Sequence, residues 1–349
     1  MKQVVFLLSF FLLATGIFAQ EESKADSLVT EGITLHDKRD YDGAIAKYDA
    51  AIQLDPAHHL AIYEKSLSLM SLKKYEEAGE LLRQVIKESK DKKIRLSAFV
   101  NYVTALDLLD LPGESVKIYD QGIKEFPEYY LLPFNKGVTL LGLKKTEEAA
   151  DCFKKSVRLN PNHGSSHNVL GRMTISNNRI AGLMALFTFL LVEPGTQRAK
   201  DNRELLEQQL MKGVSQKDDK TIEISVDASS LKKDKSKEDD FGPANLALSM
   251  TAALSRSKQD SVKKNDAEVL LDRMGTIIAI IDETKNSKKG FFTTFYVPML
   301  VALKGTDHFK TSCYIALATA GNEEVNAWLK ANEDKVAAFF SWFKAYKWQ

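Results

Sequence analysis

Three asparagines recur at the sixth position of three successive segments, each of which closes on a proline. The asparagines are Asn101, Asn135 and Asn168, and the prolines are Pro127, Pro161 and Pro194. A side-chain amide offers N–H donors and a carbonyl acceptor. A row of amides can therefore hold the main chain of an extended peptide, whatever side chains that peptide carries. The alternative is local, because asparagine also bonds to backbone groups nearby in its own chain.

Apolar and aromatic residues stand one position before these amides, and in the preceding segment. They are Tyr63, Val100, Phe134 and His167. Such side chains could form pockets beside the amides. We therefore predict a partner-binding set of Asn101, Asn135, Asn168, Tyr63, Phe134 and His167.

The other polar clusters do not amount to a catalytic or metal-binding set. His163 and His167 lie four residues apart and could share a helix face. Two ligands without a third carboxylate or cysteine are a weak metal site, however. Ser165 and Ser166 lack the glycines of a nucleophile elbow, and a serine does not face an adjacent histidine on one helix. The sequence predicts no catalytic residue, no metal and no cofactor.

Paired helices must position these side chains, and the clearest helix lies in Asp40–Pro56, which reads DYDGAIAKYDAAIQLDP. Its acidic start suits the positive end of a helix dipole. Its apolar residues recur at helical spacing. The helix ends before Pro56 because a proline pushes the preceding residue out of the α region. A preceding helix over Asp26–His36 and a turn at Asp37–Asp40 complete a hairpin.

This hairpin resembles the tetratricopeptide repeat (TPR), which carries a small residue in its first helix, then alanine, aromatic, alanine and proline in its second. The matching residues are Gly32, Ala44, Tyr48, Ala51 and Pro56. The pattern recurs over Ala25–Ala57, His59–Lys92, Leu96–Pro127, Tyr130–Pro161 and, most degenerate, His163–Pro194. The resemblance implies an all-α fold, a TPR α-solenoid of about five helical hairpins whose first helices line a concave groove.

The three asparagines are similar to the asparagine ladder of some peptide-binding TPR proteins. The resemblance therefore implies a protein or peptide partner held in the groove. The clamp by which other TPR proteins bind chaperone carboxylates does not carry over. Its places in the first repeat hold Val29 and Ile33 instead of lysine and asparagine.

Beyond the repeats the composition changes. Leu183–Val192 is apolar on every side and predicts a buried helix, with contact to a membrane as the alternative. Gln197–Met211 is amphipathic and suits the capping helix that a solenoid needs for solubility. Ser229–Asp240 is charged and predicts a solvated linker. Thr221–Asp227 alternates like a short strand, which must pair with another strand or else form a loop.

The C-terminal part is helical again, without the TPR register. Helices are predicted over Ala244–Ser257, Asp266–Thr284, Phe291–Leu303, Phe309–Thr319 and Asn322–Lys347. Pro298 should kink or end its helix. One face of the last helix is formed by Val336, Phe339, Phe340, Phe343 and Tyr346. That face either packs within its own domain or forms a partner groove.

The first nineteen residues, MKQVVFLLSFFLLATGIFA, are typical of a signal peptide. Lys2 precedes the apolar run Val4–Leu13, and Ala19 closes a plausible cleavage site. An uncleaved anchor is the alternative. No cysteine follows the run, so a lipoprotein anchor is not expected. We expect a periplasmic or secreted protein of bacterial origin, without a membrane span after removal of residues 1–19.

The predicted domains are a signal peptide (1–19), a TPR solenoid with its capping helix (20–213), a charged linker (214–241) and a C-terminal helical domain (242–349). The segment Phe291–Trp348 is similar to C-terminal segments of exported bacterial TPR proteins of undefined role. Oligomeric state stays open.

The net charge bears on the class of partner, and the two cysteines bear on whether a disulfide forms. The formal net charge of +1 over 349 residues gives no basic field, so a nucleic-acid partner is not expected. Export would permit a disulfide between Cys152 and Cys313. Both cysteines lie among apolar helical residues, which favours free buried thiols.

Three functions are compatible with these observations. The repeat register and the asparagines favour an exported, non-catalytic scaffold that mediates protein–protein interaction through its concave groove. A second possibility is an enzyme or ligand-binding module in the C-terminal domain, with the TPR part as recruiter. A third is a structural component of a cell-envelope assembly.

Overall fold

A computed structural model describes residues 24–217, 222–225, 238–254, 264–283 and 289–348. Over these ranges the chain forms seventeen helices and two short strands. The all-α prediction is therefore confirmed. The chain divides into two compact units between Ala149 and Ala150. The signal peptide lies outside the described residues, and the predicted domain boundaries stay a prediction.

The first unit is a series of helical hairpins. Its helices are α1 (24–37), α2 (Tyr41–Leu54), α3 (His59–Ser71), α4 (Tyr75–Glu88), α5 (Lys92–Leu108), α6 (Pro112–Glu125) and α7 (Leu131–Gly142), and α8 (Thr146–Leu159) begins there. Each of the helices from α2 to α6 packs on the next one along the chain. Ala44, Tyr48 and Ala51 of α2 are fully buried, so the repeat-defining residues form the core between helices.

The first four hairpins share one turn geometry. The residues Arg39, Lys73, Asp110 and Lys144 all adopt the left-handed conformation, with φ of 66°, 62°, 57° and 60°. In the first turn the N–H of Arg39 donates to the carbonyl of His36, and the N–H of Asp40 donates to that of Leu35. The other three turns repeat both bonds. This is the Schellman ending, which satisfies carbonyls that a helix C-terminus leaves unpaired.

Side-chain contacts between hairpins also recur at equivalent positions. Lys65 of α3 pairs with Asp49 of α2 at 2.6 Å. Lys136 of α7 pairs with Asp120 of α6 at 2.5 Å. Each pair links the second helix of one hairpin to the first helix of the next. Surface ion pairs contribute little stability, but their recurrence shows that the hairpins stack with the same geometry.

The second unit packs around a buried helix. Its elements after α8 are α9 (Gly164–Thr174), α10 (Arg179–Val192), α11 (Gln197–Leu210), β1 (Val214–Gln216), β2 (Ile222–Ile224), α12 (Gly242–Leu254), α13 (Asp266–Glu283), α14 (Phe291–Lys304), α15 (His308–Ala316), α16 (Glu323–Ala331) and α17 (Glu333–Ala345). Every residue from Ile180 to Leu191 of α10 is buried. Helices α9, α11, α12, α14 and α15 all pack against α10, which confirms the prediction of a buried helix.

The alternating segment after the repeats is a strand. β2 pairs with β1 in antiparallel fashion, with Val214 opposite Ile224. The two-stranded sheet packs on α12, where Val214 and Ile222 join an apolar cluster with Ala252. This packing supplies the support that an isolated hairpin lacks in water.

The end of the predicted solvated linker is buried, which differs from the prediction. Asp239 is largely buried, with φ of 53°. Its carboxylate accepts hydrogen bonds from the N–H groups of Phe292 and Thr293, at 3.0 and 2.8 Å. Asp239 therefore caps α14, where it satisfies N–H groups that the helix cannot pair itself.

The predicted helix over Asn322–Lys347 is wrong in its continuity, because Asn332 divides it into α16 and α17. Asn332 adopts φ of −128° and ψ of 38°, outside the helical region. Its side-chain N–H groups donate to the carbonyl of Trp328, which is the competition with helical bonding that asparagine brings. Pro298, in contrast, lies inside α14 and does not end it.

Candidate partner-binding surface

The first helices of the first four hairpins, α1, α3, α5 and α7, present what we call the first-helix surface. Hydrogen bonds join these helices side by side. His36 Nδ1 lies 2.8 Å from the Ser68 hydroxyl, which links α1 to α3. The Thr139 hydroxyl donates to the carboxylate of Asp107 at 3.4 Å, which links α7 to α5. These bonds fix the spacing of the helices that would carry a partner.

Two predicted site residues, Tyr63 and Asn101, are in direct contact. Nδ2 of Asn101 donates to the Tyr63 hydroxyl at 2.9 Å and to the Ser97 carbonyl at 3.0 Å. The bond to Ser97 lies within α5, and it is the local backbone bond predicted as the alternative to peptide binding. Asn101 Oδ1 makes no hydrogen bond within the described part of the chain, so it can accept a peptide N–H. The pair links α3 to α5 and holds this oxygen in place.

Phe134 and Asn135 lie next to each other on α7, and both are half-buried. Val138, one turn after Phe134 and on the same helix face, exposes 49% of its surface. The amide of Asn135 and this apolar strip therefore lie on the same helix. They provide polar and apolar contacts of the kind predicted for the groove.

The second unit holds Asn168, on α9. Asn168 is half-buried, and its Oδ1 is buried and accepts no hydrogen bond from any residue that the structure describes. An unsatisfied buried carbonyl costs free energy that a donor would recover. Because Asn101 and Asn135 belong to the first unit, the row of three asparagines stays a prediction.

His167 does not offer an exposed contact, which differs from its predicted place in the groove. Its side chain is fully buried. The Tyr296 hydroxyl lies 2.8 Å from Nδ1, and the Pro161 carbonyl accepts from Nε2–H at 2.8 Å. Burial lowers the pKa of His167 to about 4. The carbonyl at Nε2 requires a proton there, so Nδ1 accepts from tyrosine and the ring is neutral.

Glu64 was missed by the search for amides, although the register leads to it. It occupies the sixth position of the second hairpin, the place that asparagines hold in the next two. Its side chain is half-buried. Burial and then the charge of Asp37 raise its pKa. If the sixth position is also taken in the second repeat, which begins at His59, it falls on Glu64 and places this carboxylate on the first-helix surface.

The aromatic face of the last helix packs within its own unit, as one of the two predicted alternatives states, and part of it also lines an apolar groove. Phe339 and Phe343 of α17 are buried against their own unit. Phe340 is 37% exposed and, with Val336, lines an apolar groove of about 330 Å³. The other apolar residues of this groove are Pro194, Ile315, Ala318, Leu329 and Ala337.

The described residues contain neither a metal-binding cluster nor a membrane-spanning helix. Within the described ranges no group of three or more His, Cys, Asp or Glu side chains could hold a metal ion. In that same part of the chain no helix is both long and apolar enough to cross a bilayer. Cys152 and Cys313 do not form a disulfide with each other; Cys313 is buried as predicted, whereas Cys152 is partly exposed. Burial raises the pKa of the Cys313 thiol.

Parts of the sequence match known proteins that contain tetratricopeptide repeats. Two family models described as tetratricopeptide repeat match residues 29–92 and 134–163. The Hsp70-Hsp90 organising protein of Plasmodium falciparum is 23% identical over 158 residues, or 45% of this chain. The chain spans about a quarter, 27%, of the length of that relative.

Two solved structures are similar at low identity. YrrB, a TPR protein with an unusual peptide-binding site, is 18% identical with a TM-score of 0.42, over 54% of this chain and 97% of that one. Pseudomonas aeruginosa pilF is 18% identical with a TM-score of 0.43, over 55% and 91%. The residues matched by the family models lie in hairpins α1–α4 and α7–α8, so these two segments are tetratricopeptide repeats.

Proposed function

We propose that this chain is a non-catalytic scaffold for protein–protein interaction that holds an extended peptide on its first-helix surface. The observation that carries the proposal is the Tyr63–Asn101 pair, which fixes an amide oxygen for a peptide N–H. Membership of the TPR family supports a protein partner. The near-neutral net charge supports a protein rather than a nucleic acid.

The binding mode follows from the groups on the surface. An extended peptide has unpaired N–H and C=O groups along its main chain. Asn101 Oδ1 accepts from one N–H, and the amide of Asn135 can pair with both kinds of group. Phe134 and Val138 remove an apolar side chain of the peptide from water. Main-chain pairing gives affinity, and the apolar contacts restrict which sequences fit.

The relative named Hsp70-Hsp90 organising protein supports this class of function. We do not extend its named partners to this chain. The first hairpin has the buried Val29 and the half-buried Ile33 at the places where a carboxylate clamp needs polar side chains. A peptide held by its main chain is the proposal that the residues support.

Affinity isolation from the native source tests the proposal. The full chain is compared with the triple variant Asn101→Ala, Asn135→Ala, Asn168→Ala. We expect the protein partners to be lost from the variant, because its amides no longer pair with the peptide main chain. The matched control is Glu77→Ala with Lys124→Ala, two exposed changes on the second helices α4 and α6. Retention of every partner by the triple variant would contradict the proposal.

We also propose that the chain is exported to a periplasm or out of the cell. The support is the composition of residues 1–19, with Lys2, the apolar run Val4–Leu13 and Ala19 in the order that signal peptidases recognise. An exported scaffold would meet its partner outside the cytoplasm.

A further inference from the structure

Glu64 is a half-buried carboxylate without a counter-charge. Other acidic residues of the first unit are paired: Glu31 with Lys47, Asp49 with Lys65, Asp120 with Lys136 and Glu125 with Arg95. Neither Glu64 nor Asp37 makes an ion pair with any residue that the structure describes. Burial of an unpaired charge costs free energy. Burial, and second the charge of Asp37, raise the pKa of Glu64.

The Tyr48 hydroxyl, buried beside these carboxylates, is an independent sign of a missing ligand. Tyr48 is 0% exposed, and its oxygen makes no hydrogen bond of good geometry with any residue that the structure describes. Burial, then the charge of Glu64, raise the pKa of this phenol to about 12, while the nearby Ser68 side chain acts in the opposite direction. Ser68 is already engaged with the His36 ring at 2.8 Å. A buried hydroxyl is normally paired, so this one points to a group that the described residues do not supply.

No cation of the described residues fills this place. Lys65 follows Glu64 directly, but its ammonium is 2.6 Å from Asp49 on α2. The His36 ring faces Ser68. A metal ion is disfavoured, because no set of three ligands forms here within the described ranges. An organic cation with several N–H donors would satisfy both the carboxylates and the phenol oxygen.

We propose that the first-helix surface of the first two hairpins binds a lysine or arginine side chain of the partner, with Glu64 as its main acceptor and Asp37 beside it. An ammonium has three donors, enough for both carboxylates and a lone pair of the Tyr48 hydroxyl. The inference rests on the proposed function, because the cation is carried by the peptide held at Asn101. Glu64 occupies the same repeat position as Asn101 and Asn135, so a peptide along these positions reaches it.

Charge reversal tests the inference with random peptides in place of the natural partner. A phage-displayed library of random 12-residue peptides is selected on the full chain and on the Glu64→Lys variant. We expect wild-type peptides to share a lysine or arginine at one position. We expect peptides from the variant to carry aspartate or glutamate there.

A chosen basic peptide is then measured by fluorescence anisotropy. Glu64→Gln should weaken its binding about tenfold, the loss of one charge-assisted pair. The control Glu77→Gln, an exposed carboxylate on α4, should leave affinity unchanged. Circular dichroism checks that both variants fold, which is expected because Glu64→Gln removes an unpaired charge.

The outcomes separate the two proposals. Peptides that depend on Asn101 but show no basic preference would overturn the cation site and leave the scaffold function intact. Enrichment of no peptide at all would overturn both. A basic preference that survives Glu64→Lys would also overturn the site, because the charge would then be read elsewhere.

Discussion

At the scale of the residue, the neutral state of His167 has a consequence for stability. A second ring proton would go to Nδ1 and displace the hydrogen bond that this nitrogen accepts from Tyr296. The bond from Nε2–H to the Pro161 carbonyl favours the protonated ring, but burial outweighs it. Burial lowers its pKa to about 4 in the folded chain, against about 6.5 when unfolded. Below pH 6.5 the unfolded chain therefore binds a proton that the folded chain does not.

We predict that the free energy of unfolding falls as pH is lowered from about 6.5 to 4. The contribution of His167 should reach about 3 kcal/mol at the acid end. Urea unfolding at a series of pH values measures it. The control is His167→Gln, which shares every carboxylate with the wild type, so the difference in pH slope isolates the histidine. Equal slopes in the two proteins would show that His167 is not the group that titrates.

The sequence predicted some site residues and misjudged others for one physical reason. Tyr63 and Asn101 were found because a repeat register places equivalent residues on the same face. His167 occupies an equivalent place by count, but the packing of α14 against its own unit buries it, and the register carries no information about α14. Glu64 was missed because the search followed an amide, whereas the register specifies a position and not a residue type.

At the scale of the element, each of the four hairpin turns has a non-glycine residue in the left-handed conformation, and replacing it can raise stability. Arg39, Lys73, Asp110 and Lys144 hold a left-handed backbone that costs a residue with Cβ about 1–2 kcal/mol. Glycine adopts this conformation without that cost, and for that reason it is the preferred residue here. The chain therefore carries strain in these four turns.

We predict that Lys73→Gly raises the free energy of unfolding by about 0.5–1 kcal/mol, the relief of strain less the greater entropy of the unfolded glycine. The matched control is Lys87→Gly, in the last turn of α4 in the same hairpin, where glycine should cost up to about 1 kcal/mol. Thermal unfolding of both variants gives the two signs. A loss of stability in Lys73→Gly would mean that the side chain makes contacts that outweigh the strain.

Element boundaries show what the sequence could specify. Helical spacing and the closing proline placed both helices of the first hairpin to within a few residues, since α1 spans 24–37 and α2 spans Tyr41–Leu54. The break at Asn332 was missed, because α16 and α17 together have one continuous apolar pattern and the amide of Asn332 competes only where it reaches the Trp328 carbonyl. The burial of Asp239 was also missed, since its role depends on α14, which lies far along the chain.

At the scale of the whole molecule, the repeats explain why so much of the first unit was predictable. Each hairpin packs on its sequence neighbours, so a local pattern also defines the tertiary contacts. The second unit packs α10 against α12, α14 and α15, which are distant in sequence. Hydrophobic periodicity predicted the helices of the second unit but not which of them pack against each other. On the first-helix surface, therefore, position in the sequence determines position in space.

The proposed export determines where that surface operates, and it makes a prediction for the entire chain. If residues 1–19 are a signal peptide, the mature protein begins at Gln20 and loses the apolar run that would otherwise hold it at a membrane. Cell fractionation followed by N-terminal sequencing measures this. The control is Leu8→Arg with Leu12→Arg, which places charges in the apolar run and should retain an unprocessed chain in the cytoplasm. A wild-type chain that keeps Met1 in the cytoplasmic fraction would refute export, and the partner would then have to be sought inside the cell.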